Sequence, residues 1–174
     1  MANATMTLIA SQVLSSKTTN VTFSSIPQTY TDLKLLLSAQ NDDGGAYTDL
    51  LFVQLNSDTT SNYSETRIYG FSTTAGSSRT SSSGFLAPRI DSAGGTANVF
   101  SCTEFYIPNY TSTSTKQIWS FGVAEQNDTS NAYITADAEL YRGTSAITSI
   151  SLAVNGAYNF SINSSFYLYG IKNS

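Results

Sequence analysis

The sequence contains no histidine and only one cysteine among its 174 residues. Histidine is the commonest general base and proton shuttle near neutral pH, and zinc sites are built largely from histidine and cysteine. Catalytic triads with a histidine base and the usual zinc sites are therefore excluded. We expect a protein that is not an enzyme, with no catalytic residues and with neither a metal ion nor another cofactor.

Charged side chains are also scarce, at 11% of the chain, where about a quarter is usual. The 8 basic residues are outnumbered by 12 acidic ones, which gives a net charge of −4, and the basic residues are scattered singly. Phosphate binding is driven by clustered positive charge, so we expect no nucleic-acid partner. A surface with few strongly hydrated groups is cheap to desolvate, which is a weak indication of assembly.

Long apolar runs are absent as well. No stretch approaches the roughly 20 apolar residues of a membrane span, so we expect no membrane partner. The first residues, "MANATMTLIASQVLSS", have neither a basic segment nor a long apolar core, and they are not expected to be a signal peptide.

Serine and threonine supply most of the polarity, and they suit turns and half-buried strands better than helices. Short apolar or alternating segments recur along the chain, separated by clusters such as "NDDGG" and "NYTSTST", which we interpret as turns. This pattern predicts an all-β, antiparallel β-sandwich of the jelly-roll type, as one domain over 1–174 with a short extended N-terminal segment. A serine- and glycine-rich stretch over 72–84 is predicted to be a long exposed loop. The predicted strands are 6–14, 20–23, 33–39, 50–55, 65–71, 84–90, 97–107, 117–123, 132–141, 147–154 and 165–171.

Alternation predicts the faces of several strands. In "KQIWSFGVA" one face is aromatic and the other is small. In "ITADAELY" we expect the apolar set to point inward and Asp137 and Glu139 to point to solvent. Two carboxylates on one strand face also resemble the pair of a glycoside hydrolase, but a solvated strand face explains them more simply.

Single residues add two further expectations. Cys102 is predicted to be a core or near-core thiol, since no histidine is present to activate it. Tyr47, Tyr63, Tyr110 and Tyr158 lie near turns, and they are the tyrosines expected to contact something external, such as a sugar ring.

The last strand segment, "SFYLYGI", is apolar on both faces. Phe166 and Leu168 are predicted to enter the core, which leaves Tyr167, Tyr169 and Ile171 pointing outward. A second sheet or a second copy of the protein must cover this outward set, and we predict that these residues form a subunit interface.

Several motifs, "TMTLIASQVLSS", "VTFSSIPQTYTDLKLLLSAQ", "NYSETRIYGF", "FYIPNYTSTS", "ITSISL" and "SSFYLYGIKNS", resemble those of small jelly-roll virion proteins of tailed phages, notably phages of cyanobacteria and other aquatic bacteria. The resemblance covers nearly the whole chain and concerns strand motifs, so it carries over no site residues. It implies a capsid cement or decoration protein that binds the major capsid protein on the outer surface of the capsid after synthesis in the host bacterial cytoplasm. A homotrimer would match the threefold positions of an icosahedral shell, with the N-terminal segment and the 72–84 stretch as expected capsid contacts. The alternative is a tail-fibre or receptor-binding module for a host surface glycan.

Overall fold

The computed structural model describes residues 5–127 and 130–172. The regular elements of this part of the chain are thirteen β-strands. Their bounds are β1 Met6–Val13, β2 Asn20–Phe23, β3 Asp32–Ser38, β4 Gln40–Asn41, β5 Thr48–Leu55, β6 Tyr63–Phe71, β7 Thr74–Ser82, β8 Arg89–Ser92, β9 Cys102–Ile107, β10 Lys116–Ala124, β11 Tyr133–Tyr141, β12 Ile150–Val154 and β13 Ser165–Ile171.

The strands form two sheets. The large sheet has eight strands in the order β1-β13-β3-β9-β10-β11-β6-β7, and the small sheet has five in the order β2-β12-β5-β8-β4. Neighbouring strands are antiparallel, apart from the short parallel pair β4 and β8. Strands β1 and β7 are the two edges of the large sheet, and the register of β1 shifts between Leu8 and Ala10.

The core lies between the sheets because both contribute every second side chain to it. In β3 the inward residues are Leu33, Leu35 and Leu37, and in β5 they are Leu51, Val53 and Leu55. These side chains belong to one connected cluster of buried residues. The predicted all-β antiparallel sandwich is therefore confirmed.

The last strand lies inside the large sheet, between β1 and β3. Phe166 and Leu168 are fully buried, as predicted, while Tyr167 and Tyr169 are half-buried and point away from the small sheet. The terminal strand is thus an integral part of the sandwich, with one face in the core.

The predicted long loop over 72–84 is wrong, because most of it forms the edge strand β7, paired along its length with β6. The connection is a tight turn in which Ser72 has a φ of 51°, a left-handed value typical of turns. Short polar side chains suit an edge strand with much of its surface in water. The same composition that indicated a loop is therefore compatible with a strand.

Candidate functional site

Strand β11 is oriented opposite to the prediction. Asp137 and Glu139 are each 3% exposed, whereas Ile134 and Ala138 point outward and are exposed. Alternation defines two faces of a strand, but it does not say which one meets the core. The prediction that the two carboxyls are solvated was therefore wrong.

The buried carboxyls belong to a polar cluster between β6, β10 and β11. Arg67 Nε donates to Asp137 Oδ1 at 2.6 Å and Arg67 Nη2 to Glu65 Oε1 at 3.2 Å. Ser120 donates to Glu139 Oε1 at 2.9 Å. The segment 84–88 lies over the cluster, since the Leu86 amide donates to Glu65 and the Leu86 carbonyl accepts from Arg67.

The cluster contains three carboxyls and one guanidinium, so the charges do not balance. Burial raises the pKa of Glu139 well above its usual value, and the neighbouring Asp137 raises it further. Burial also raises the pKa values of Asp137 and Glu65, although Arg67 opposes both shifts. Because the three carboxyls are buried, we interpret the group as a structural cluster and not as an open carboxylate pair.

The other side of the large sheet, here called the outer face, is unusually apolar. Cross-strand partners place Tyr167, Leu36, Glu104, Phe121, Ala136 and Ile68 in one row across six strands. Ten large hydrophobic side chains remain well exposed in the described part of the chain, and seven of them lie on this face. Those seven are Met6, Leu8, Val13, Ile68, Trp119, Phe121 and Ile134.

The charged groups near the middle of the outer face have partners. Lys34 and Glu104 form an ion pair of 2.8 Å between neighbouring strands, and Asp32 accepts hydrogen bonds from the Tyr106 hydroxyl and the Asn109 amide. Tyr106 in turn packs near Trp119, with 6.2 Å between ring centroids. The middle of the outer face therefore presents aromatic and aliphatic groups with little unpaired charge, a composition typical of the centre of an interface. Arg79, at the β7 edge of this face, donates to the Thr66 hydroxyl and forms no ion pair with the described residues.

The size of the outer face matches that of a specific interface. Eight strands spaced by about 4.8 Å span roughly 34 Å, and six residues along a strand cover roughly 20 Å. The product, roughly 700 Å², approaches the ~800 Å² that each partner buries in a standard protein interface.

The predicted interface residues Tyr167, Tyr169 and Ile171 all lie on the outer face, at the β13 position. The exposed Trp119 and Phe121 were not assigned to an interface, although the aromatic face of their strand was visible in the sequence. The structure shows that the face of β10 with the smaller side chains is buried, which places Trp119 and Phe121 on the outer face.

Cys102 also lies on the outer face and is exposed, so the predicted core thiol is wrong. The inward residues of this strand are Thr103, Phe105 and Ile107. One step along a strand moves a side chain to the opposite face, and Cys102 takes the outer position.

The predicted external contacts are only partly accessible. Tyr47 and Tyr158 are exposed, but Tyr63 and Tyr110 are fully buried, so the prediction for the latter two was wrong. The Tyr63 hydroxyl accepts from the Leu55 amide at 3.0 Å and contacts the Asp58 carbonyl at 3.0 Å. Each ring turns back from its strand end or turn into the core, where its hydroxyl finds a backbone partner.

The "NDDGG" segment forms a turn held by its own side chains. Asp43 Oδ1 accepts from the Gly45 amide at 2.7 Å, and Asn41 Oδ1 accepts from the Asp43 amide at 2.8 Å. Within residues 5–127 and 130–172, no group of three or more carboxylate, thiol or imidazole side chains is arranged to hold a metal ion. The same residues contain no helix that is long and apolar enough to cross a membrane.

Comparisons with known proteins add no family to this description. A scan against protein-family models, a search of curated proteins and a search of solved structures each returned no match to this chain.

Proposed function

We propose that this chain is a bacteriophage virion structural protein, a capsid cement or decoration protein that binds the outer capsid surface as a homotrimer. The observation that carries the proposal is the outer face, an apolar surface of interface size with an ion pair near its middle. The motif resemblance described above supplies the virion context. No catalytic chemistry is required of such a protein.

A trimer provides a simple way to cover the outer face. Three copies whose outer faces look toward one axis enclose a common apolar core, and each contact joins the β1 and β13 flank of one copy to the β11 and β6 flank of the next. Leu8 on the first flank and Ile68 on the second are about half exposed or more in the monomer. Aromatic Trp119 and Phe121 lie between the flanks, where hot-spot residues are usually found.

The strand order supports the jelly-roll part of the proposal. Strands β1, β13, β3 and β9 are adjacent in the large sheet, and β2, β12, β5 and β8 are adjacent in the small one. The chain passes between these two groups of four in the sequence that a jelly roll requires. The hairpins β6–β7 and β10–β11 then extend the first group to eight strands.

A cement protein acts by adding contacts that must break before the shell can open. In the proposed trimer the outer faces are occupied by self-contacts, so the major capsid protein would meet loops at one end of the sandwich. Of the two predicted capsid contacts, the 72–84 stretch is mostly strand β7, and residues 1–4 lie outside the described residues.

The receptor-binding alternative is supported by the exposed Tyr47 and Tyr158, which lie on neighbouring turns. Tyr63 and Tyr110 give this alternative no support, because both rings are buried and cannot contact a host receptor.

A cryo-electron-microscopy reconstruction of the particle that carries this chain tests the proposal. We expect density at threefold positions of the head that fits three copies with their outer faces toward the axis. Density at the tail alone would overturn the capsid role and favour the receptor-binding alternative. Light scattering of the purified protein tests the trimer separately.

A further inference from the structure

A cleft of about 310 Å³ lies on the side of the large sheet opposite the outer face. Its floor is formed by the ends of β11, β6 and β7, and Arg89 of β8 stands at one wall. Three aromatic side chains, two arginines and three hydroxyls line it. None of the sequence motifs indicated this combination.

The aromatic side chains form a layered platform. Phe71 stacks on Tyr133 with 4.3 Å between ring centroids and 21° between planes. Tyr69 lies 6.5 Å from Tyr133 and passes directly over Gly76 of the neighbouring strand, where a Cβ atom would approach the ring to 2.6 Å. Only glycine at this position lets the Tyr69 ring lie across the edge strand. Flat aromatic surfaces beside an open cleft are suited to stacking on the apolar face of a sugar ring.

Arg89 supplies a positive charge that no carboxylate in the described part of the chain neutralises by an ion pair. Its guanidinium lies 4.5 Å from the Tyr133 ring centroid, and Nη1 donates to the Thr48 carbonyl and hydroxyl at 3.1 and 3.0 Å. These partners are neutral, so the remaining donors can bind an anion. Arg67, on the cleft floor, is by contrast already paired with two carboxylates.

Polar groups complete the cleft. The Thr135 side chain lies on the floor, and Ser78 is exposed on the rim at β7. The exposed Ser78 hydroxyl can donate to or accept from a polar group of a ligand in the cleft.

We propose that this cleft binds one acidic sugar unit of a glycan, with the sugar carboxylate on Arg89 and the ring face on Phe71 and Tyr69. The volume is suited to a single pyranose ring, and a single available guanidinium matches one carboxylate and not a polyphosphate. The inference goes beyond the proposed capsid role and does not depend on it. Because the cleft and the outer face lie on opposite sides of the sheet, trimer formation leaves the cleft open.

Saturation-transfer NMR on the full chain tests the proposal, with methyl glucuronide and methyl N-acetylneuraminide as acidic probes and methyl glucoside as the neutral control. We expect at least one acidic probe to bind with a millimolar dissociation constant, and methyl glucoside to bind at least about tenfold more weakly. Arg89→Gln is expected to remove this preference for the acidic sugar.

Steric blocking provides a test that leaves both arginines of the cleft intact. Ser78→Trp places a large ring in the cleft from an exposed edge position and should abolish binding of the acidic probe. Ser77→Trp, one residue away on the opposite face of β7, is the matched control and should bind as the wild type does. Absence of binding by both acidic probes, equal binding of methyl glucoside, or undiminished binding in Ser78→Trp would each overturn the proposal. Light scattering would report on the trimer independently of all three results.

Discussion

The Ser120 hydroxyl donates a 2.9 Å hydrogen bond to Oε1 of Glu139, while Oε2 of the same carboxyl is buried with no partner among the described residues. A carboxylate ion in this position would be poorly solvated and close to Asp137. The neutral acid is therefore the form that the fold favours, which makes stability depend on pH.

We predict that the protein becomes less stable as pH rises above about 4.5, the ordinary pKa of a glutamate. The folded-state pKa of Glu139 is raised, so folding retains a proton that the unfolded chain releases, and stability falls until the folded pKa is reached. One such proton corresponds to a slope of up to about 1.4 kcal/mol per pH unit. Urea unfolding between pH 5 and pH 9 measures it. Glu139→Gln should show a shallower slope, since Asp137 and Glu65, which face the same cluster beside Arg67, still contribute. Equal slopes for both proteins would contradict the prediction.

Arg67→Met should be strongly destabilising. It leaves Glu65 and Asp137 buried without their shared cation, and loss of one partner from a buried ion pair typically costs about 3–5 kcal/mol. The matched control is Arg79→Met on the neighbouring strand, where the exposed guanidinium donates to the Thr66 hydroxyl, and a change within about 0.5 kcal/mol is expected. Chemical denaturation of the two variants at one pH measures their free energies of unfolding. Similar losses of stability in both would contradict the prediction, because they would show that Arg67 is no more important than an exposed arginine.

Trp119→Glu should dissociate the proposed trimer without unfolding the monomer, because the side chain is 42% exposed in the single chain and would be buried only by assembly. Ile162→Glu is the control, since Ile162 is similarly exposed but lies outside the strands of the outer face. Light scattering should give a trimer for the wild type and the control, and a monomer for Trp119→Glu. A trimer that survives the substitution would show that the outer face is not the self-interface.

Cys102 provides an independent probe of the same surface. The thiol is exposed in the monomer and lies on the outer face beside Phe121 and Val123. We expect slow labelling by a maleimide reagent in the wild-type assembly and at least about tenfold faster labelling in Trp119→Glu, because burial limits access to a thiol. Equal labelling rates would mean that this part of the face stays uncovered.

Tyr63→Phe should lower the free energy of unfolding by about 1–3 kcal/mol, since it leaves the buried Leu55 amide without the hydroxyl that accepts its hydrogen bond. Tyr47→Phe changes an exposed ring and should be neutral within about 0.5 kcal/mol. Thermal or urea unfolding measures both. An unchanged free energy of unfolding in Tyr63→Phe would contradict the prediction, because it would show that water or the backbone replaces the lost acceptor.

The sequence was sufficient for the fold class and for placing Phe166 and Leu168 of the terminal strand in the core. The opposite face of that strand carries two tyrosines, whose hydroxyls favour a position with polar contacts. The sequence could not indicate which face of β11 is buried. Ile134 and Ala136 look like core residues, and Asp137 becomes tolerable inside only because Arg67 is its cross-strand partner. That pairing joins residues seventy positions apart and leaves no local signal.

The aromatic cleft was missed for a related reason. Phe71, Tyr133 and Arg89 come from three separate strands, and each alone is typical of an ordinary strand residue. The position of Tyr69 depends on Gly76, which lies in a stretch whose serine and glycine content indicated a loop. The sequence pattern identified strand segments, whereas the site depends on their registers.

The two edges of the large sheet limit how copies of this protein can associate. Strand β7 offers its unpaired backbone groups among serine, threonine and one arginine, and β1 has a register shift at Leu8 and Ala10. Neither edge is a regular apolar template onto which another strand could add. Continuous growth of the sheet into a fibril is therefore disfavoured, and a high local concentration of this chain should yield closed assemblies of defined size.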